Sequence, residues 1–190
     1  KQMSLYYAPV FFFALLRKCL AKQGTVTDKI FHLAKIGCTV ILSFAFLWFP
    51  FCVYRTDPSP TNTCGSALLQ VLHRQFPFSR GLFEDKVANL WYSTSVVLDW
   101  RVIFSTPHLV YASLSLTLLL LVPICVNLMT QPLTATRMLW SLTNSSLAYF
   151  LASYQVHEKS ILLPLVPASF LFASNPLLFG WFQILGTFTM

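Results

Sequence analysis

The sequence predicts an all-α protein that passes several times through a membrane. One observation is compositional: 56% of the 190 residues are hydrophobic and only 10% are charged, where a soluble domain carries about 25% charge. A soluble chain of this length could not cover so much apolar surface, and mean hydropathy is +0.64. The other is arrangement. Apolar residues fall into runs near the ~20 residues that a helix needs to cross a bilayer. The length allows about five to six transmembrane or interfacial helices, read as a single transmembrane region over residues 1–190.

Residues 3–16 are apolar and aromatic but short for a span, and read as the end of a helix already under way at Lys1. The chain also stops in an apolar run, so it reads as part of a longer protein. A basic loop follows, holding Arg17, Lys18, Lys22, Lys29 and Lys35 with Asp28 as its one acid. Residues 36–54 form a clear span with Pro50 near its end. Residues 55–80 are polar and rich in breakers (Pro58, Pro60, Gly65), with a short helix expected at 68–72. Residues 82–104 mix Glu84, Asp85, Lys86, Asp99 and Arg101 with Trp91, Tyr92 and Trp100. Aromatics interleaved with charge suit an interfacial helix better than a complete span.

The strongest span is 107–128, centred on Leu118 to Leu121, with Pro123 as a possible kink. After a short loop at 129–136, a span is expected from Met138 to about Tyr154. A polar stretch with His157, Glu158 and Lys159 interrupts the apolar run. Residues 161–173 are apolar again, Asn175-Pro176 is a turn, and a final segment starts at Leu177.

The net charge of +7 is not a nucleic-acid footprint, because five of the 13 basic residues lie in the one loop after Leu16. That pattern fits the positive-inside rule. With that loop cytosolic and 82–104 not crossing, counting spans puts residues 80–89 and 155–160 on one and the same far face. The five cysteines show no metal-ligand spacing. Cys19, Cys38, Cys52 and Cys125 lie in or beside apolar runs, Cys64 stands alone in a polar loop, and no disulfide framework is expected. His32, His73 and His108 read as structural. Asn144-Ser145-Ser146 fits a glycosylation pattern inside a span, and Asn62-Thr63-Cys64 is only a variant of it. No phosphate loop, dinucleotide fingerprint or zinc motif is present, and no metal or cofactor is expected.

Two polar stretches carry the candidate chemistry. His157, Glu158 and Lys159 stand between apolar runs. An ionisable side chain at a helix centre costs roughly +2.5 to +3.5 kcal/mol on insertion scales. The triplet therefore belongs at an interface or in a polar cavity. His157 can donate to a phosphate oxygen or shuttle a proton, Lys159 can bind an anion, and Glu158 can orient either. In the other stretch, Arg80 and Lys86 can neutralise a phosphate, and Glu84 and Asp85 can accept protons or pair with the bases. The plain alternatives are a solvated loop whose charges pair locally, and a helix-capping loop whose Lys159 snorkels to water.

These stretches also carry a resemblance. RGLFEDKVAN at 80–89 followed by Leu90-Trp91, and QVHEKSILL at 155–163, resemble the signature stretches of the dolichyl-phosphate-glucose-dependent α-1,3-glucosyltransferases of the endoplasmic reticulum. Lys1-Gln2-Met3 with Leu5-Tyr6 and Pro9 is similar at a third place. The form FEDKVAN resembles the branch that adds the first glucose, to Man9GlcNAc2 on dolichyl pyrophosphate. The second-glucose branch differs there and shares the His-Glu-Lys motif. The resemblance implies a GT-C-type fold in the endoplasmic reticulum membrane. Its reaction would be inverting transfer of glucose from dolichyl phosphate glucose to the lipid-linked oligosaccharide, in the lumen and without a cofactor. It implies a donor-phosphate role for His157, with Lys159, Arg80 and Lys86 beside it. The general base of such enzymes lies in an earlier luminal loop. Neither Glu84 nor Asp85 is promoted into that role, and the chain alone is expected to be inactive. On the residues alone, an ion- or proton-coupled transporter is a rival, although no internal repeat or matching pair of broken spans appears. A non-catalytic membrane subunit is a third class.

Overall fold

The computed structural model describes residues 2–53, 63–75, 87–154 and 156–188, and every regular element among them is helical. A 3-10 turn, Gln2–Tyr7, leads into α1, Ala8–Ala21. Next come α2, Val26–Val53; α3, Cys64–Gln75; α4, Leu90–Ser95; α5, Trp100–Ile103; and α6, Thr106–Thr130. The chain continues with α7, Ala135–Ala152; a 3-10 turn, Glu158–Ile161; α8, Leu162–Phe170; and α9, Pro176–Phe188. Among the described residues, three helices are long and apolar enough to cross a membrane: Met3–Ala21, Val26–Val53 and Thr106–Thr130. The result is an all-α polytopic membrane chain.

The chain forms two compact units, Lys1–Gln2 with Leu16–Ser79 and Met3–Leu15 with Arg80–Met190. In the first, the expected basic loop is largely helix. α1 runs on to Ala21, and α2 starts at Val26, ten residues before the expected Ile36. The cause is local. Gly24 takes a left-handed φ of +145° that reverses the chain. Thr25 and Asp28 then cap α2 reciprocally: the Thr25 N–H donates to Asp28 Oδ2 at 2.9 Å, and the Asp28 N–H donates to Thr25 Oγ1 at 3.3 Å. The Lys22 ammonium donates to the His32 ring across the same turn. At ~1.5 Å per residue, α2 is about 42 Å long, so its charged first turns extend past a ~30 Å hydrocarbon core.

At the far end of α2, Cys52 is joined to Cys64 by a disulfide. Cys64 is therefore not alone in a polar loop, and a covalent link does organise this region. The short helix expected at 68–72 is a twelve-residue helix that starts at Cys64, and Thr63 Oγ1 accepts from the Ser66 N–H at 3.3 Å.

In the second unit, α6 matches the strongest expected span. Ser105 is its N-cap and Pro107 stands in its first turn, where a missing N–H costs nothing. Its buried residues Leu109, Ser113, Thr117, Leu121 and Leu128 make one stripe. Ser113 and Thr117 give their hydroxyls to Val110 O and Ser113 O on the same helix, which satisfies them while keeping the surface small. Residues 131–134 connect α6 to α7, which packs back along it. α7 carries buried Ser141, Thr143, Ser145 and Ser146, and for that polarity the span expected at 138–154 is not among the three described helices apolar enough to cross a membrane.

The expected interfacial helix at 82–104 is not a single helix. Residues 82–86 lie outside the described residues, and the rest forms the short helices α4 and α5, parted by a turn at 96–99. Neither is long enough to cross. The apolar stretch 161–173 gives only the nine-residue α8, which ends at Phe170. Asn175 then starts α9 as expected of a turn, its Oδ1 accepting from the Leu178 N–H at 3.2 Å.

Candidate functional site

The site is built where the return of α7 meets three separate stretches. α7 ends at Ala152, whose last-turn carbonyl has no partner within the helix. The Trp91 indole of α4 donates to that carbonyl at 2.8 Å. Trp91 is buried and meets Trp100 edge-on, with ring centroids 6.0 Å apart. Asn89 positions this helix: its Oδ1 accepts from the Tyr92 N–H at 2.8 Å, and its own N–H donates to Val87 O at 2.8 Å. Val87 is 2% exposed and joins Phe150, Val156, Ile161 and Leu165 in one apolar cluster. Val87, at the described end of the first polar stretch, thus packs against Val156 of the second. Arg80, Glu84, Asp85 and Lys86 lie outside the described residues.

The N-terminal stretch arrives at the same place. Tyr6 stacks on Tyr149 of α7, with centroids 4.8 Å apart and planes 7° apart. Ser145 Oγ donates to Tyr6 O at 2.7 Å. Tyr7 donates its hydroxyl to Leu163 O in α8. That acceptor is open because Pro167, four residues on, has no N–H to give it. The Tyr6 hydroxyl faces those of Ser153 and Ser160, and both serine oxygens are buried without a well-formed hydrogen bond among the described residues.

His157 stands at the head of the 3-10 turn Glu158–Ile161 as its N-cap. Its Nδ1 accepts from the Lys159 N–H at a long 3.4 Å, and its carbonyl accepts from the Ser160 N–H at 2.8 Å. A neutral ring that accepts at Nδ1 carries its proton on Nε2, which leaves that nitrogen a donor. His157 and Glu158 are half-buried, Lys159 is exposed and Ser160 is buried. The triplet thus sits at the lip of the packed region. This arrangement offers one ring donor and one ammonium on a short, tightly wound turn. Among the described residues, no group of three or more His, Cys, Asp or Glu could hold a metal ion.

Sequence reasoning singled out His157, Glu158 and Lys159 by their charge but passed over the residues that fix them in place. Ser145 and Tyr149 are ordinary members of an apolar run, and only the fold shows that they face Tyr6. Trp91 was visible as an interfacial aromatic, but its acceptor on Ala152 was not.

Comparison with known proteins covers the chain as a whole. The ALG6, ALG8 glycosyltransferase family matches this sequence over residues 1–190. A probable dolichyl pyrophosphate Man9GlcNAc2 alpha-1,3-glucosyltransferase of Dictyostelium discoideum is 39% identical over the full chain. The dolichyl pyrophosphate Man9GlcNAc2 alpha-1,3-glucosyltransferase of Gallus gallus is 42% identical and a probable one of Arabidopsis thaliana 39%, again over the full chain. The chain spans about a third of the length of these relatives: 35%, 35% and 33% in that order.

Proposed function

We propose that this chain, which belongs to the ALG6, ALG8 glycosyltransferase family, supplies the donor-phosphate side of an α-1,3-glucosyltransferase. The full-length enzyme moves glucose from dolichyl phosphate glucose to Man9GlcNAc2 on dolichyl pyrophosphate, with inversion. One observation carries this reading. The three stretches around Tyr6, Val87 to Trp91, and His157 to Leu163 converge at the Ala152 end of α7. Convergence of distant segments on a turn with cationic and donor groups is what stabilising a departing phosphate requires.

The roles follow from the chemistry. The acceptor hydroxyl attacks the anomeric carbon, the bond to the dolichyl phosphate oxygen breaks, and negative charge grows on that phosphate. His157 Nε2–H and the Lys159 ammonium are the donors placed to receive it. Arg80 and Lys86 add charge from the first stretch, while Glu84, Asp85 and Glu158 orient these bases. The general base that takes the acceptor proton is assigned to the remainder of the full-length protein.

We place this end of α7 in the lumen of the endoplasmic reticulum. Supporting that side, Cys52–Cys64 needs an oxidising compartment, while Lys22, Lys29 and Lys35 cluster about the opposite end of α2. No described helix between α2 and α6 is long enough to cross back.

The test is reconstitution of the full-length protein in liposomes with dolichyl phosphate glucose and the Man9GlcNAc2 lipid. Gain of one glucose on the acceptor supports the reading. Activity only on an acceptor that already bears one glucose assigns the second-glucose reaction instead. Ion flux without glucosyl transfer would overturn both.

A further inference from the structure

A concave feature lies between α6 and α7, and most of its lining stands well before the Ala152 end of α7. It is a groove of about 710 Å³ that runs beside α7 from its first turn nearly to its last. Along α7 from Arg137 to Leu151 it is about 21 Å long at 1.5 Å per residue, more than half of a ~30 Å hydrocarbon core. Leu120 and Ile124 of α6 and Leu147 and Leu151 of α7 supply apolar walls. Polar groups concentrate at the end where α6 turns into α7, at Asn127, Thr134 and Arg137.

Among the described residues, Arg137 is the one charged residue lining the groove. It is half-buried, and one of its N–H groups donates to Pro132 O, which holds the guanidinium against the turn. A guanidinium has five N–H donors in a planar fork, so four remain for an anion. Trp140, one turn on, also lines the groove and packs on Phe179 at 5.0 Å. A tryptophan beside an arginine at a helix end is the pattern of the headgroup level. The remaining polar lining is graded with depth. Ser141 and Asn144 face the groove about 6 and 10 Å deeper than Arg137 along the helix. That order, cation first and then hydrogen-bonding groups above an apolar trough, matches a phosphate followed by ester carbonyls and a tail.

We propose that the groove seats an anionic diacyl glycerophospholipid, its phosphate on Arg137, its ester carbonyls near Ser141 and Asn144, and one acyl chain along Leu120 to Leu151. Two features of the groove choose this occupant. A polyprenyl phosphate has no ester groups to answer Ser141 and Asn144. Moreover, a phosphate on Arg137 lies about 22 Å along α7 from Ala152, at the end opposite the triplet, so a glucosyl donor held there could not react beside His157. The lipid is therefore a resident of the fold, and its site stands independently of the reading of His157.

The experiment uses the full-length protein in phosphatidylcholine nanodiscs doped with phosphatidylserine that carries a diazirine on one acyl chain. Controls are phosphatidylcholine and diacylglycerol with the same chain. Crosslinked residues are mapped by mass spectrometry. Phosphatidylserine is expected to label residues 120–127 and 137–151 at least threefold more than either control. Arg137→Gln should reduce that labelling to the phosphatidylcholine level, and Leu147→Trp, which fills the trough, should remove it. Labelling that is no stronger than on exposed α2 and unchanged in Arg137→Gln would overturn the proposal. So would the absence of label, which would mean that protein fills the groove, or full displacement by a long polyprenyl phosphate.

Discussion

Tyr7 donates its phenolic hydroxyl to the carbonyl of Leu163, 156 positions later in the chain, and thereby supplies the partner that Pro167 cannot. Two of the stretches that define the site are thus joined by a bond that exists because a proline interrupts α8.

Removing that hydroxyl has a defined cost. Tyr7→Phe leaves the half-buried Leu163 O without its partner, which destabilises by about 0.5–1.5 kcal/mol. Pro167→Ala restores a backbone N–H four residues after Leu163. The cost of Tyr7→Phe should fall by at least half in that background. A double-mutant cycle on thermal unfolding of the purified full-length protein measures this. Equal costs in both backgrounds would show that the bond carries no stability.

His157 has two separable duties, one as a cap and one as a donor. Asn is as good an N-cap as any residue, but it cannot present a ring N–H in the position of Nε2. His157→Asn is therefore expected to keep the unfolding temperature of the native protein while lowering glucosyl transfer at least tenfold. His157→Ala should lose both. Full turnover in His157→Asn, measured in the reconstituted assay, would remove the phosphate role and leave only the cap.

Gly186 of α9 lies tight against Leu165 of α8. A Cβ added there would lie 2.7 Å from Leu165 Cδ2 and 2.8 Å from Leu165 Cδ1. Leu165 is 4% exposed and belongs to the cluster around Val87, so it has little room to yield. Gly186→Ala should destabilise by about 1–3 kcal/mol, and Leu165→Ala should absorb most of that penalty. A denaturant series on the two single variants and the double one decides the point.

The thiols give a count. Cys19, Cys38 and Cys125 are free, while Cys52 and Cys64 are joined. The 190-residue chain, made in microsomes and alkylated with a polymer-tagged maleimide after denaturation, should carry three adducts. After reduction it should carry five. Five adducts without reductant would show that the bond does not form.

How far these features could be read in advance depends on their range. α6 was legible to within two residues because no charged residue falls between Leu109 and Met129. The start of α2 was not. Lys29, His32 and Lys35 look like loop residues to a hydropathy count, yet a helix can carry charge once it has left the hydrocarbon. The cue was present in Thr25 and Asp28, a capping pair of three-residue spacing. The Cys52–Cys64 bond was hidden for another reason, since pairing depends on where the chain turns back and not on spacing alone. In the site, the triplet announced itself by the cost of charge near lipid. Its supports did not, because Tyr6, Ser145 and Tyr149 become a set only once α7 lies beside the N-terminal turn.

The buried hydroxyls of α7 bear on how this protein is made. Ser141, Thr143, Ser145 and Ser146 occupy the middle of the helix. Thr143 and Ser146 hand their protons to the carbonyls of Leu139 and Leu142 one turn back, but Ser145 needs Tyr6. A nascent α7 released alone into the bilayer would have no such partner, and its polar face would meet acyl chains. Only four residues separate it from α6, the most apolar of the three candidate spans. α7 is therefore expected to leave the translocon as the second arm of a hairpin with α6, and to satisfy Ser145 only when the N-terminal turn packs against it.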